Sequence, residues 1–142
     1  MLGNVFHAGR PAVALALVLA TSPVLAANGI DVTRGIDSTV YGSCVPSLVV
    51  ENKSTGTIDY LQVDIVVATA DGREQTVELK SAYREGVLHP IGPGDKATLK
   101  QHLDTSRALG VACGELKARR VVRTICEAAD GRSCASSVSV QP

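Results

Sequence analysis

Four cysteines, Cys44, Cys113, Cys126 and Cys134, are the residues of this chain best placed for covalent chemistry. Thiols can hold a metal, carry electrons or cross-link the chain. A structural zinc site draws on closely spaced ligand pairs such as C-x-x-C, and no such pair is present. A catalytic redox pair wants the same spacing at a helix start. The segment "ICEAADGRSC" instead sets Cys126 and Cys134 on either side of an Asp-Gly turn. With Ala129-Asp130-Gly131 as a three-residue loop, Cys126 faces Cys134, Thr124 faces Ser136 and Val122 faces Val138. Opposed residues of an antiparallel pair lie ~4.5–5.5 Å apart at Cα, within disulfide range. An even cysteine count in an exported domain implies a disulfide framework. The hairpin selects Cys126–Cys134 and leaves Cys44–Cys113 by elimination. In the chain-entropy account the short loop contributes ~2.6 kcal/mol and the long one roughly 4.4 kcal/mol.

The remaining reactive side chains form no recognisable constellation. His89 precedes Pro90 at a turn, and His102 sits beside Lys96 and Lys100 on the outward face of a strand. The serines of "SCASSVSV" have no G-x-S-x-G elbow around them. Acid pairs such as Glu51/Asp59 and Asp64/Glu78 read as solvent-facing, and two carboxylates alone are not a glycosidase. No catalytic, cofactor-binding or metal-binding residue is therefore expected. Aromatic anchors are scarce too: beyond the first 26 residues only Tyr41, Tyr60 and Tyr83 remain, which disfavours a sugar-binding platform. Functional side chains concentrate on exposed loops, so Tyr83, Arg84 and Glu85 in "SAYREG" are the candidate interaction loop. Asn52-Lys53-Ser54 matches a glycosylation sequon, but reads as a turn whose side chains bond their own backbone.

The elements that would position these groups are strands almost throughout. Leu61, Val63, Ile65 and Val67 alternate with Gln62, Asp64, Val66 and Ala68, and Val77 and Leu79 alternate beyond Ala70-Asp71-Gly72. A two-residue loop would set Ile65 against Glu78. A three-residue loop sets Ile65 against Val77 and Val63 against Leu79, which matches apolar to apolar and uses a glycine in the left-handed region. The same Ala-Asp-Gly-Arg tetrapeptide recurs at 129–132. Tyr60 falls out of register with the apolar set and belongs to the opposite face. "SLVVEN" (47–52) and "KATLKQHL" (96–103) read as further strands, with a short one at 86–89. Residues 104–116 offer a helical turn, capped by Asp104 and ended by Gly110. The stretch "ANGIDVTRGIDSTVYGS" reads as a loose or edge strand.

The N-terminal segment sets the compartment. Arg10, the apolar run Ala12–Ala20, Pro23 and Val24-Leu25-Ala26 describe a secretory signal over residues 1–26, cleaved after Ala26. The apolar stretch is short of the about 20 residues a bilayer span needs, so no membrane insertion is expected after cleavage. Residues 27–142 make one domain. The whole chain carries 14 basic and 14 acidic side chains, and losing Arg10 tips the balance to one net negative charge. Such a chain has no electrostatic footprint for nucleic acid. Lys117, Arg119, Arg120 and Arg123 are its only basic density and read as a solvated edge or edge-strand gatekeeping.

Short strands joined by Gly-rich turns point to an all-β fold, an antiparallel β-sandwich of about seven strands stapled by two disulfides. The string "LVVENKSTGTIDYLQVDIVVATADGREQTVEL…HPIGPGDKATL" resembles small secreted bacterial immunoglobulin-like or fibronectin-III-like sandwiches. In size, export and disulfide layout the chain also resembles the interleukin receptor mimic protein A group. The resemblance implies the sandwich and carries no functional residues. The expectation is thus a periplasmic or secreted, non-catalytic protein that binds another protein, through its surface or an exposed strand edge. The alternatives are a structural or accessory subunit of a periplasmic or cell-surface assembly, or a small hydrolase or inhibitor; homo-oligomerisation is left open.

Overall fold

In the computed structural model, residues 28–81, 83–84, 87–101 and 108–142 are described. The expected signal segment, Glu85, His102 and Asp104 lie outside them. No α-helix occurs among the described residues, and no helix there is long and apolar enough to cross a membrane. The strands are β1 (Ile30–Arg34), β2 (Ser38–Val40), β3 (Ser43–Val45), β4 (Ser47–Asn52), β5 (Ile58–Thr69), β6 (Glu74–Ser81), β7 (Tyr83–Arg84), β8 (Val87–Leu88), β9 (Lys96–Lys100), β10 (Leu116–Ala128) and β11 (Val138–Gln141).

Seven strands form one sheet in the order β10-β5-β6-β9-β4-β1-β11. Its two outermost strands are consecutive in the chain and tied by a tight turn and a disulfide, so the sheet curls into a nearly closed, barrel-like layer. The wall folds this way because alternate β-branched residues of the long strands share one face. Leu61, Val63, Ile65 and Val67 of β5 meet Val77 and Leu79 of β6, with Leu48, Val50, Leu99, Ile30 and Val32 closing the interior, all essentially without solvent exposure. Each such side chain contributes about 1.5–3 kcal/mol on full burial.

The β5–β6 hairpin has the register expected from its loop: Ile65 pairs with Val77 and Val63 with Leu79. Gly72 sits at φ 83°, where a side chain would be strained. Its counterpart Gly131 lies at φ 78°, and the turn after β10 repeats the first one's hydrogen bonds, Ala128 N–H to Arg132 O and Gly131 N–H to Ala128 O. Cys134 N–H donates to Cys126 O at 3.0 Å, and the two side chains are joined, with Cα atoms 4.9 Å apart. Cys44 is joined to Cys113 across 69 residues.

Four expectations need correction. The hairpin does not continue beyond the second disulfide. A 3₁₀ turn over Ala135–Ser137 redirects the chain, and Val138 and Val140 pair with Ile30 and Val32 instead of extending back along Thr124 and Val122. This parallel pairing gives β1 a second partner and brings both valines against the core, and it makes the sheet mixed instead of wholly antiparallel. The segment read as a loose or edge strand is accordingly an interior strand, β1, between β4 and β11. Asp64 faces away from the core yet is only 6% exposed; it lies opposite Glu78 and accepts a 2.6 Å hydrogen bond from Gln62. Tyr60, on that same outer face, donates to Gln62 Oε1 at 2.5 Å, so the alternate residues of β5 form a side-chain chain rather than a solvated row.

Asn52 is a turn residue, not an accessible sequon. It is fully buried; its amide donates to Gly56 O (2.8 Å) and Ile91 O (2.9 Å), and its Oδ1 accepts from Ser54 N–H and Oγ–H (3.1 and 2.6 Å).

Candidate interaction surface

The chain leaves β1 at Arg34 and returns in β4 at Ser47, and between them stands the β2–β3 hairpin. Its pairs are Ser38 with Val45, Thr39 with Cys44, and Val40 with Ser43, which leaves Tyr41-Gly42 as a two-residue loop. Both loop residues have positive φ, 49° and 75°, the type I′ geometry that matches strand twist. Asn-Gly is the usual solution there. A tyrosine in the left-handed region costs roughly 1–2 kcal/mol. Burial of the ring does not offset that cost, since Tyr41 is 97% exposed. Ile36, just before β2, is 94% exposed.

The base of this hairpin is held firmly. Ser43, Cys44 and Val45 are buried. Cys44 is cross-linked to Cys113, its N–H donates to Val111 O at 2.7 Å, and Gly110 N–H donates to Ser43 Oγ at 2.9 Å. The 3₁₀ turn Cys113–Glu115 follows, with Glu115 accepting from Ala112 N–H at 2.7 Å. A disulfide at the third residue from the tip restrains the tyrosine's position without covering it.

Beneath the hairpin lies a buried ion pair. Asp37 accepts from Arg119 Nη2, from Arg34 Nη2 (3.1 Å) and from Ser47 N–H (3.2 Å), with the Asp37 and Arg119 side chains 9% and 5% exposed. Burial alone pushes the Asp37 carboxyl upward. The Arg119 hydrogen bond and charge, the Ser47 amide and Arg34 together overcome it, and hold the carboxyl below its usual range. Arg119 Nη1 has no partner among the described residues. Asp37 lies near the sulfurs of Cys44 and Cys113, but both are spent in the disulfide and offer no thiolate, so the trio is not a metal centre.

A cavity of about 110 Å³ opens beside this cluster, lined by Arg34, Leu116, Lys117, Ala118, Arg119 and Pro142. A second of similar size lies over β1 and β11, between Asp31, Val32, Thr33, Ser139 and Gln141. Neither brings together a nucleophile, a base and an oxyanion donor set.

Of the interaction loop expected from the sequence, Tyr83 and Arg84 form a two-residue strand paired with Leu88 and Val87, and Glu85 is outside the described residues. His89 is exposed at its turn. The residues that sequence reasoning passed over are Tyr41 and Ile36. The signal for them was "STVYGSCV", two short alternating runs around an X-Gly pair, which is a hairpin pattern with an unusual first loop residue.

No family of known proteins matches the chain, and no curated protein does. Among solved structures the chain is similar to IrmA from Escherichia coli, with a TM-score of 0.54 and 10% sequence identity, over 80% of this chain and 91% of that one. At that identity the likeness is one of fold.

Proposed function

We propose that this chain is an exported, disulfide-stapled β-protein that works by binding another protein, with the Tyr41 hairpin as its principal contact. The observation that carries this reading is the tip residue: an aromatic ring 97% exposed, on a backbone that disfavours it, over a cross-linked base. Tyrosine supplies large contact area at low entropic cost and is enriched among interface hot spots. The cross-linked base restrains the backbone that carries the ring, so less backbone freedom is lost on binding than from an uncross-linked loop. Two disulfides support an oxidising, extracytoplasmic setting. Kinship with small immunoglobulin- or fibronectin-III-like exported proteins is the finer reading of the fold, supported by the all-β layout and the two disulfides.

The test is site-specific photo-cross-linking with a benzophenone side chain at position 41, and at exposed Thr76 as control, in the producing cell. A single protein adduct is expected from position 41 only. That protein, purified, should bind wild type at least about 30-fold more tightly than Tyr41→Ala, the fold-change of a 2 kcal/mol hot spot. Equal affinities, or identical adducts from both positions, would sink the proposal.

A further inference from the structure

The nearly closed sheet ends in two outermost strands of unequal length, clamped to one another at one end, with Pro142 beside Leu116–Arg119 across the cavity at the other. β11 has four residues, whereas β10 has thirteen and uses only one of its edges to pair with β5. At the clamped end the outer edge is occupied: Cys126 O accepts from Cys134 N–H, and Ala128 N–H donates to Arg132 O. Between Leu116 and Ile125 no backbone partner on the outer edge occurs among the described residues. An edge strand of this kind offers unpaired N–H and C=O groups at every second residue. Residues 117–124 span about 26 Å at ~3.3 Å each, enough to pair with a short extended segment.

The side chains along that edge carry one sign of charge. Lys117, Arg120 and Arg123 are exposed, and no acid occurs in β10 before Glu127. The acids nearby are already engaged. Glu115 caps Ala112, and Asp64, opposite Arg123 on β5, is buried against Gln62; Glu74 forms a long, exposed ion pair with Arg120 (3.9 Å), which an incoming carboxylate would have to displace or share. A bulge between Val121 and Arg123 turns Val122 and Arg123 outward with Arg120, and leaves Val122 45% exposed. Pairing this edge with the same edge of a second copy would bring the cations against one another, which is destabilising. The charge therefore excludes self-pairing and selects the complement.

From this we propose that the outer edge of β10 between Lys117 and Ile125 docks an extended acidic segment of a partner protein, by strand addition. The docked strand pairs in two short runs on either side of the bulge, with its carboxylates beside Arg120 and Arg123 and apolar side chains near Val122. The inference shares with the preceding reading only the class of ligand, and rests on a different strand from the Tyr41 hairpin.

Two capped peptides test it, one alternating Val and Glu over eight residues and one alternating Val and Lys, titrated into the oxidised, ¹⁵N-labelled protein at low salt. The acidic peptide should shift and protect amides within 117–125, with affinity falling as salt is raised. The basic peptide should leave them unmoved. The double variant R120E/R123E should bind the acidic peptide at least tenfold more weakly and gain binding to the basic one. Equal response to both peptides, shifts confined to the Tyr41 hairpin or to β11, or no response at millimolar acidic peptide would each overturn the proposal. The Tyr41→Ala variant should respond to the acidic peptide as wild type does, which separates failure of this inference from failure of the hairpin reading.

Discussion

Replacing Asn52 by Ala, and separately by Asp, probes the turn that joins β4 to β5. Asn52 has no solvent exposure and makes four side-chain hydrogen bonds. In Asn52→Ala, Gly56 O and the Ser54 groups are near enough to solvent to be rehydrated, and Ile91 O keeps its bond from Ile58 N–H at 3.0 Å. The unrecovered loss is then about one net hydrogen bond plus the void left by the amide, about 2–3 kcal/mol. Asn52→Asp preserves shape and the acceptor for Ser54, but turns an acceptor toward the carbonyls of Gly56 and Ile91. At pH 7 it should cost about 3–5 kcal/mol, as an uncompensated buried charge. Burial raises the pKa of the introduced carboxyl in the folded state above its unfolded ~3.9. Stability should therefore be lost as pH rises through that range and partly regained toward pH 4, where a protonated carboxyl can donate to one carbonyl. Urea unfolding at pH 7 and pH 4.5 reads both effects; at ~1.5 kcal/mol per molar, 3 kcal/mol moves the midpoint by about 2 M. An Asn52→Asp variant as stable as wild type at pH 7 would refute the buried, four-bonded side chain.

The remaining expectations concern the cross-links and the ion pair. Removing Cys44–Cys113 by double alanine substitution should cost more than removing Cys126–Cys134, about 4.4 against about 2.6 kcal/mol from loop closure, since the bridges span 69 and 8 residues. Urea midpoints in the reverse order would contradict it. Arg119→Ala should cost about 3 kcal/mol at pH 7, because Asp37 then stays buried without its main partner. With the folded Asp37 pKa held below 3.8, its contribution is complete above pH 4 and lost as pH falls through the folded value. The gap between wild type and Arg119→Ala should accordingly narrow on acidification below pH 4, and a pH-independent gap would rule the pair out as its cause.

What was legible in the sequence is what a single buried face dictates. The β5–β6 register followed from matching apolar residues across a three-residue glycine loop, and the repeated tetrapeptide carried the same reasoning to Cys126 and Cys134. Pairing beyond a change of direction was not legible. Val138 and Val140 alternate equally well for either neighbour, and only the 3₁₀ turn at Ala135–Ser137 hands them to β1. β1 was obscure because Ile30 and Val32 are its only apolar residues and glycines flank it. Asp64 was misjudged because alternation says which side a residue faces, not whether Gln62 and Tyr60 fill the space around it. The Tyr41-Gly42 loop was not legible because tyrosine is an unfavourable residue for its backbone, a local conflict on which the proposed reading rests.

The most direct test of the central claim is a paired measurement on Tyr41→Asn: urea unfolding, and affinity for the partner identified from position 41. Asparagine tolerates positive φ and removes the exposed ring. The expected variant is about 1 kcal/mol more stable than wild type and binds at least about 30-fold more weakly. A variant that is less stable, or that binds as tightly as wild type, would contradict the claim.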